Sequence, residues 1–189
     1  MNRVRIIGGQ WKRRLVQFES LDGLRPTPDR VRETLFNWLM WETPNARVPD
    51  LCAGSGALGI EALSRGAAYC TFIEPQRRQA ELLNAELLKL GATTAQFEVI
   101  HRSAEQAGQL KHAAYDLLFL DPPYALDLWQ TLATQYADRL SPQAWIYVEA
   151  DRHLDTLGLP NTWQLHKQTR AGSVQCGLFR LSADDTDLD

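Results

Sequence analysis

The chain is poor in cysteine. Cys52, Cys70 and Cys176 are odd in number, far apart and set in apolar, strand-like surroundings, which suits small buried hydrophobes rather than a disulfide framework. The four histidines, His101, His112, His153 and His166, share no ligand spacing with one another or with the cysteines, so no metal is expected. No stretch approaches the roughly 20 apolar residues of a membrane span. The start, Met1-Asn2-Arg3-Val4-Arg5, lacks the apolar run of a secretion signal, and a cytoplasmic protein is expected. An excess of positive charge is missing too: the net charge of −3 excludes a uniformly basic nucleic-acid binder.

What is present fits one core, since 189 residues with 44% hydrophobic content suffice for one ordinary domain and are few for two. Val4 to Ile7 and Leu15 to Phe18 read as two short strands joined through Gly8-Gly9-Gln10-Trp11. Pro26-Thr27-Pro28-Asp29 is a helix-start signal for Arg30 to Trp41, whose Val31, Leu35, Trp38 and Leu39 share one face. Strand-like runs then fall at about 48–52, 70–74, 96–101, 116–120 and 144–149, with helical stretches at about 58–66, 76–90 and 127–139. That alternation predicts an α/β fold, a mostly parallel sheet with helices on both faces. Trp163 to Thr169 and Ser173 to Leu181 are joined too closely for a crossover and must pair antiparallel, completing a Rossmann-like, seven-stranded sheet. The segments expected are a basic hairpin appendage (1–20), a main domain (21–182) and an acidic disordered tail (183–189).

Two motifs carry the chemistry. Asp50-Leu51-Cys52-Ala53-Gly54-Ser55-Gly56 turns through glycines into a helix, and such a loop lets the backbone approach a nucleotide-like cofactor. Gly54, Gly56 and Gly59 also satisfy the dinucleotide pattern, and Glu74, ending the next strand, would accept ribose hydroxyls in either class of enzyme. Asp50 ahead of the glycines, placed to hold an ammonium, favours S-adenosyl-L-methionine, leaving S-adenosyl-L-homocysteine as product. The second motif, Asp121-Pro122-Pro123-Tyr124, follows the apolar run Leu117 to Leu120. Two prolines there fix a strand exit between a carboxylate and an aromatic ring, as a site for a planar NH2 group requires. Hydride transfer has no need of that acceptor site. The cofactor set expected is Asp50, Cys52, Ala53, Gly54, Ser55, Gly56, Glu74, Ser103 and Ala104; the catalytic set is Asp121, Pro122, Pro123 and Tyr124.

Charge is unevenly spread. Asp184, Asp185, Asp187 and Asp189 load the end of the chain, whereas Arg3, Arg5, Lys12, Arg13 and Arg14 cluster near its start with Trp11 among them. Those six residues are the expected RNA contacts, cations for phosphates and one aromatic.

With these residues in hand, the chain resembles the bacterial RsmD family, methyltransferases that modify N2 of one guanine (966 in conventional rRNA numbering) of 16S rRNA in the small ribosomal subunit. The likeness runs through Arg5-Ile6-Ile7-Gly8-Gly9-Gln10-Trp11, Leu24-Arg25-Pro26-Thr27, Asp29 to Asn37, Ala53 to Gly59, Glu61 to Gly66, Asp121 to Tyr124 and Ile146-Tyr147-Val148-Glu149. It implies a class I S-adenosylmethionine-dependent methyltransferase, expected here as a monomer acting on 16S rRNA or the small subunit. The pattern departs at Ser103, where relatives often carry Asp or Asn for the adenine amine. Rival readings are an adenine-N6 methyltransferase on DNA or RNA, a protein-glutamine methyltransferase, which usually has Asn at the head of the Asp121 motif, and a catalytically silent nucleotide- or RNA-binding module.

Overall fold

A computed structural model describes residues 1–20, 26–108 and 110–182. The expected acidic tail at 183–189 and the Leu24-Arg25 part of the family-like segment lie outside them. Strands β1 (Asn2–Arg5) and β2 (Leu15–Phe18) pair antiparallel with Val4 opposite Val16. Helix α1 (Asp29–Trp38) follows, begun by Pro28 at its cap and by an acid in its first turn. It is shorter than the periodicity suggests: the Leu39 carbonyl accepts the Thr43 hydroxyl at 2.8 Å, and Met40 and Trp41 are left exposed in a turn.

Next come β3 (Arg47–Asp50), α2 (Ala57–Ser64), β4 (Tyr69–Ile73), α3 (Arg77–Leu90), β5 (Phe97–Ile100), β6 (Tyr115–Leu120), α4 (Trp129–Tyr136), β7 (Leu140–Ala150), β8 (Trp163–Ala171) and β9 (Val174–Leu181). The large sheet has the order β5-β4-β3-β6-β7-β9-β8, with β9 antiparallel to both its neighbours. Between β3 and β6 the winding of the parallel strands reverses direction, and at such a switch point the crevice beyond the strand ends receives ligands.

Side chains leave the central strands alternately to two cores. Leu117, Phe119 and Tyr147 point to one core with residues of α1, α2 and α3; Leu118, Leu120, Ile146 and Val148 point to the other with α4. Helix α2 is buried along its whole length, and Gly59 lets it lie on β4, where a Cβ would stand 2.3 Å from Phe72 Cε1. The N-terminal sheet shares the first core, since Val4, Ile6, Trp11, Val16 and Phe18 are all buried in it. Glu61, fully buried, pins the segment after β1 by accepting from the Ile7 and Gly8 amides at 2.9 and 2.7 Å, with Arg32 and Arg65 to balance its charge. No helix among the described residues is long and apolar enough to cross a membrane.

Candidate active site

The parallel strands deliver the acids to one edge of the sheet. Asp50 ends β3, Glu74 follows β4, Asp121 follows β6, and Glu149 stands near the end of β7. Burial raises the proton affinity of all four. Asp50 is pushed up to about 7 by desolvation, reinforced by the charge of Glu74 and opposed by a hydrogen bond from the Gly59 amide. That bond, 3.1 Å from N to Oδ2, also pins the first turn of α2, so one Asp50 oxygen serves the scaffold.

The glycine loop is bound to Glu74. The Gly54 amide donates to Glu74 Oε2 at 3.0 Å, the Gln76 amide donates to Oε1 at 2.7 Å, and the Gln79 side-chain amide donates to the Gly54 carbonyl at 2.7 Å. Gly54 and Gly56 adopt φ of 53° and 75°, left-handed values that a side chain rarely tolerates, and a Cβ on Gly56 would meet Leu83 Cδ1 at 2.4 Å. A carboxylate so oriented keeps lone pairs for hydroxyl donors, and the bare backbone beside it gives a nucleoside room, so the residues fit S-adenosylmethionine. Ser55 turns inward to accept from the Ala57 amide at 3.3 Å. Cys52 is half-buried with its thiol pushed well up by burial, Ser103 precedes a short turn at Ala104–Gln106, and Ala104 is buried under α4.

Asp121 differs from the other acids. Among the described residues no protein donor is bonded to its half-buried carboxylate, which desolvation first, then the charges of Glu149 and Asp50, push well above its ordinary range. Tyr124, half-buried, stacks on Trp129 with ring centroids 5.9 Å apart and planes 25° from parallel. Its hydroxyl donates to Glu149 Oε1 at 3.2 Å. The arrangement offers a fixed ring beside an unpaired acceptor, which is what a flat amine-bearing base needs.

The basic residues are less united than their sequence positions suggest. The Arg14 guanidinium donates to the Leu90 and Lys89 carbonyls at 3.1 and 3.0 Å, capping the C-terminus of α3. The Gln10 amide bonds the Ser64 carbonyl at the end of α2, so Lys12 and Arg13 lie near the helix C-termini, away from the strand ends that bear the acids. Arg3 and Arg5 instead line a hollow of about 340 Å³ with Leu15, Pro26, Thr27 and Asp29, and Thr27 reaches Glu149. Trp11 is 6% exposed and part of the core, so the expected aromatic RNA contact is a packing residue.

A family model described as "Conserved hypothetical protein 95" matches residues 4–180. The chain is 40% identical over 190 residues to "Ribosomal RNA small subunit methyltransferase D" of Escherichia coli strain K12, covering 99% of this chain and 95% of that protein. The chain belongs to this family. The Haemophilus influenzae member of the same name is 39% identical over 183 residues, covering 94% of this chain and 93% of that protein. Among solved structures, the "Putative methyltransferase yhhF from Escherichia coli" superposes with a TM-score of 0.87 at 39% identity, over 97% of this chain and 100% of its own. The expected fold, a class I methyltransferase sheet closed by an antiparallel hairpin, is the family fold and the one found here.

Sequence reasoning missed Thr27, Trp129, Tyr147 and the role of Glu149. Thr27 and Glu149 are 122 positions apart, and only the tertiary fold brings their side chains within 3.0 Å.

Proposed function

We propose that this S-adenosylmethionine-dependent rRNA methyltransferase transfers its methyl group to the exocyclic N2 amine of a guanine in 16S rRNA of the small ribosomal subunit, in the cytoplasm and as a monomer. The observation that carries the reading is the Asp121 carboxylate, without a donor among the described residues, beside the braced ring of Tyr124, at the switch point of a family member's sheet. S-adenosylmethionine supplies an activated methyl on sulfur. The chain's own task is to place the amine in line with that bond and to exclude water.

An aryl amine is a weak nucleophile because its lone pair is delocalised into the ring. Asp121 and the Pro122 carbonyl each accept one N–H, which turns the lone pair toward the methyl and stabilises the charge growing on nitrogen. The methylated amine then loses its proton readily to Asp121. Tyr124 stacks on the base, an interaction worth roughly 1–3 kcal/mol, offsetting the few kcal/mol that extrusion of a stacked base costs. Asp50, Gly54, Gly56 and Glu74 hold the cofactor, with Cys52, Ala53, Ser55, Ser103 and Ala104 along its path. Arg3 and Arg5 meet phosphates near the site, and Lys12 and Arg13 meet them farther away.

The test is transfer of radiolabelled methyl from S-adenosylmethionine to undermodified small subunits, naked 16S rRNA and DNA, followed by nucleoside analysis. N2-methylguanine from ribosomal substrates alone is expected. N6-methyladenine would install the adenine enzyme in its place, and cofactor binding without transfer would leave a silent binding module.

A further inference from the structure

Glu149 has no role in the chemistry above, yet it is the hub around which the catalytic loop is built. Its carboxylate is 5% exposed and accepts three hydroxyls from three parts of the chain: Thr27 at 3.0 Å and Tyr147 at 2.9 Å on Oε2, and Tyr124 at 3.2 Å on Oε1. Its backbone carbonyl accepts the Trp129 indole N–H at 2.9 Å, and Trp129, itself fully buried, backs the Tyr124 ring. Arg152 lies over Trp129, 4.7 Å from its ring centroid. One residue thus fixes the hydroxyl of Tyr124 directly and its ring plane through Trp129.

We propose that Glu149 is a positioning residue for methyl transfer, holding Tyr124 in the plane that receives the base and being held in turn by Thr27, at the entry to α1. The proposal rests on the reading of Tyr124 as the stacking residue. An acceptor-only carboxylate takes up three hydroxyl donors, and these oppose the rise in proton affinity that burial causes at this nearly dry position. A Tyr that lacked this anchor would keep its ring but sample more orientations, and misplacement of the base by an ångström lowers turnover more than it lowers ground-state binding. Thr27 also lines the hollow that holds Arg3 and Arg5, so the anchor links the catalytic loop to the expected RNA-facing side.

The groups that face the network are few. Glu149 and Asp50 act on Asp121; Tyr147, Thr27 and Tyr124 act on Glu149; Cys176 acts on Tyr147. Removing the Glu149 charge therefore relieves Asp121, whose proton affinity falls.

The experiment is a double-mutant cycle on Glu149→Gln and Tyr124→Phe, with Thr27→Val beside it, measuring kcat, KM for small subunits and S-adenosylmethionine affinity separately. Thr27→Val is expected to lower kcat by about tenfold, the effect of losing one hydrogen bond to a charged group. Cofactor affinity should stay within about threefold, because no cofactor contact changes. The Glu149→Gln and Tyr124→Phe losses should be strongly non-additive, and Glu149→Gln should move the acidic limb of the kcat profile to lower pH. Additive losses, or equal losses in kcat and cofactor affinity, would overturn the proposal. Glu149→Gln keeps volume and one acceptor, so the cycle remains readable where a larger change would unfold the chain. Wild-type enzyme that makes no N2-methylguanine would sink the functional reading, whereas active wild type with an additive cycle sinks only the role of Glu149.

Discussion

Asp121 and Tyr124 sit three positions apart and do different work. Asp121 has no donor among the described residues, which leaves its lone pairs open to the incoming amine proposed above, while Tyr124 donates its hydroxyl to Glu149 and offers only its ring. Asp121→Ala is therefore expected to lower kcat by about 10²–10⁴-fold, the range for loss of a catalytic proton acceptor. S-adenosylmethionine affinity, measured by calorimetry, should change by no more than a few-fold. Comparable losses in both would mean that Asp121 holds the cofactor. The motif was readable because both prolines and both functional groups are contiguous; the anchor of the Tyr124 hydroxyl was not, because Glu149 lies 25 positions away.

At the scale of elements, the N-terminal sheet is tied to the helices at both ends. Near the active-site edge the Glu19 amide donates to Gln79 of α3 at 2.8 Å, farther along the Gln17 amide donates to Glu86 at 2.9 Å, and at the far end Arg14 caps that helix. The basic cluster is thereby sorted. Arg3→Gln with Arg5→Gln should weaken binding of small-subunit RNA and reduce the slope of log affinity against log salt by about two, since each lost phosphate contact releases roughly one counterion fewer. Arg14→Gln should leave that slope alone and lower unfolding stability by about 1 kcal/mol, through loss of a cation at a helix C-terminus. Filter binding across a salt series and urea denaturation separate the two. An equal loss of RNA affinity in Arg14→Gln would return it to the phosphate contacts. The run of cations was plain in the sequence, but which guanidinium a helix end would claim was not, because that depends on where α3 terminates in space.

For the molecule as a whole, gathering Asp50, Glu74, Asp121 and Glu149 at one edge has a consequence for pH dependence. Burial raises all four above their ordinary range, Asp50 to about 7, so the folded state binds more protons than the unfolded chain across that window. Their contribution favours folding fully below the ordinary carboxylate range and is lost as pH rises through the raised values, for Asp50 about 7. Asp116, lowered by its bonds from Arg47 and Ser141, contributes in the opposite direction. A cationic ligand favours the ionised acids, so the rise in melting temperature given by S-adenosylmethionine should grow from pH 5 to pH 8 (about the span around Asp50). Asp50→Asn should flatten that growth in a scanning-fluorimetry series, and an unaltered pH dependence would remove Asp50 from the linkage.

The sequence by itself determined the order of strands and helices, because alternation of apolar runs and turn residues is a local property, and it singled out the two loops to which the proposal assigns chemistry, because their residues are neighbours. It also marked Trp11 as an aromatic among cations but not which way the ring would turn, and the core took it. Only the tertiary structure decided that Gly59 lets α2 rest on β4, that Arg14 belongs to a helix end, and that Thr27, Tyr124, Tyr147 and Trp129 meet at Glu149. Hydrogen bonds and close packing are set by distances across the fold, and residues 122 positions apart acquire a distance only once the sheet has formed.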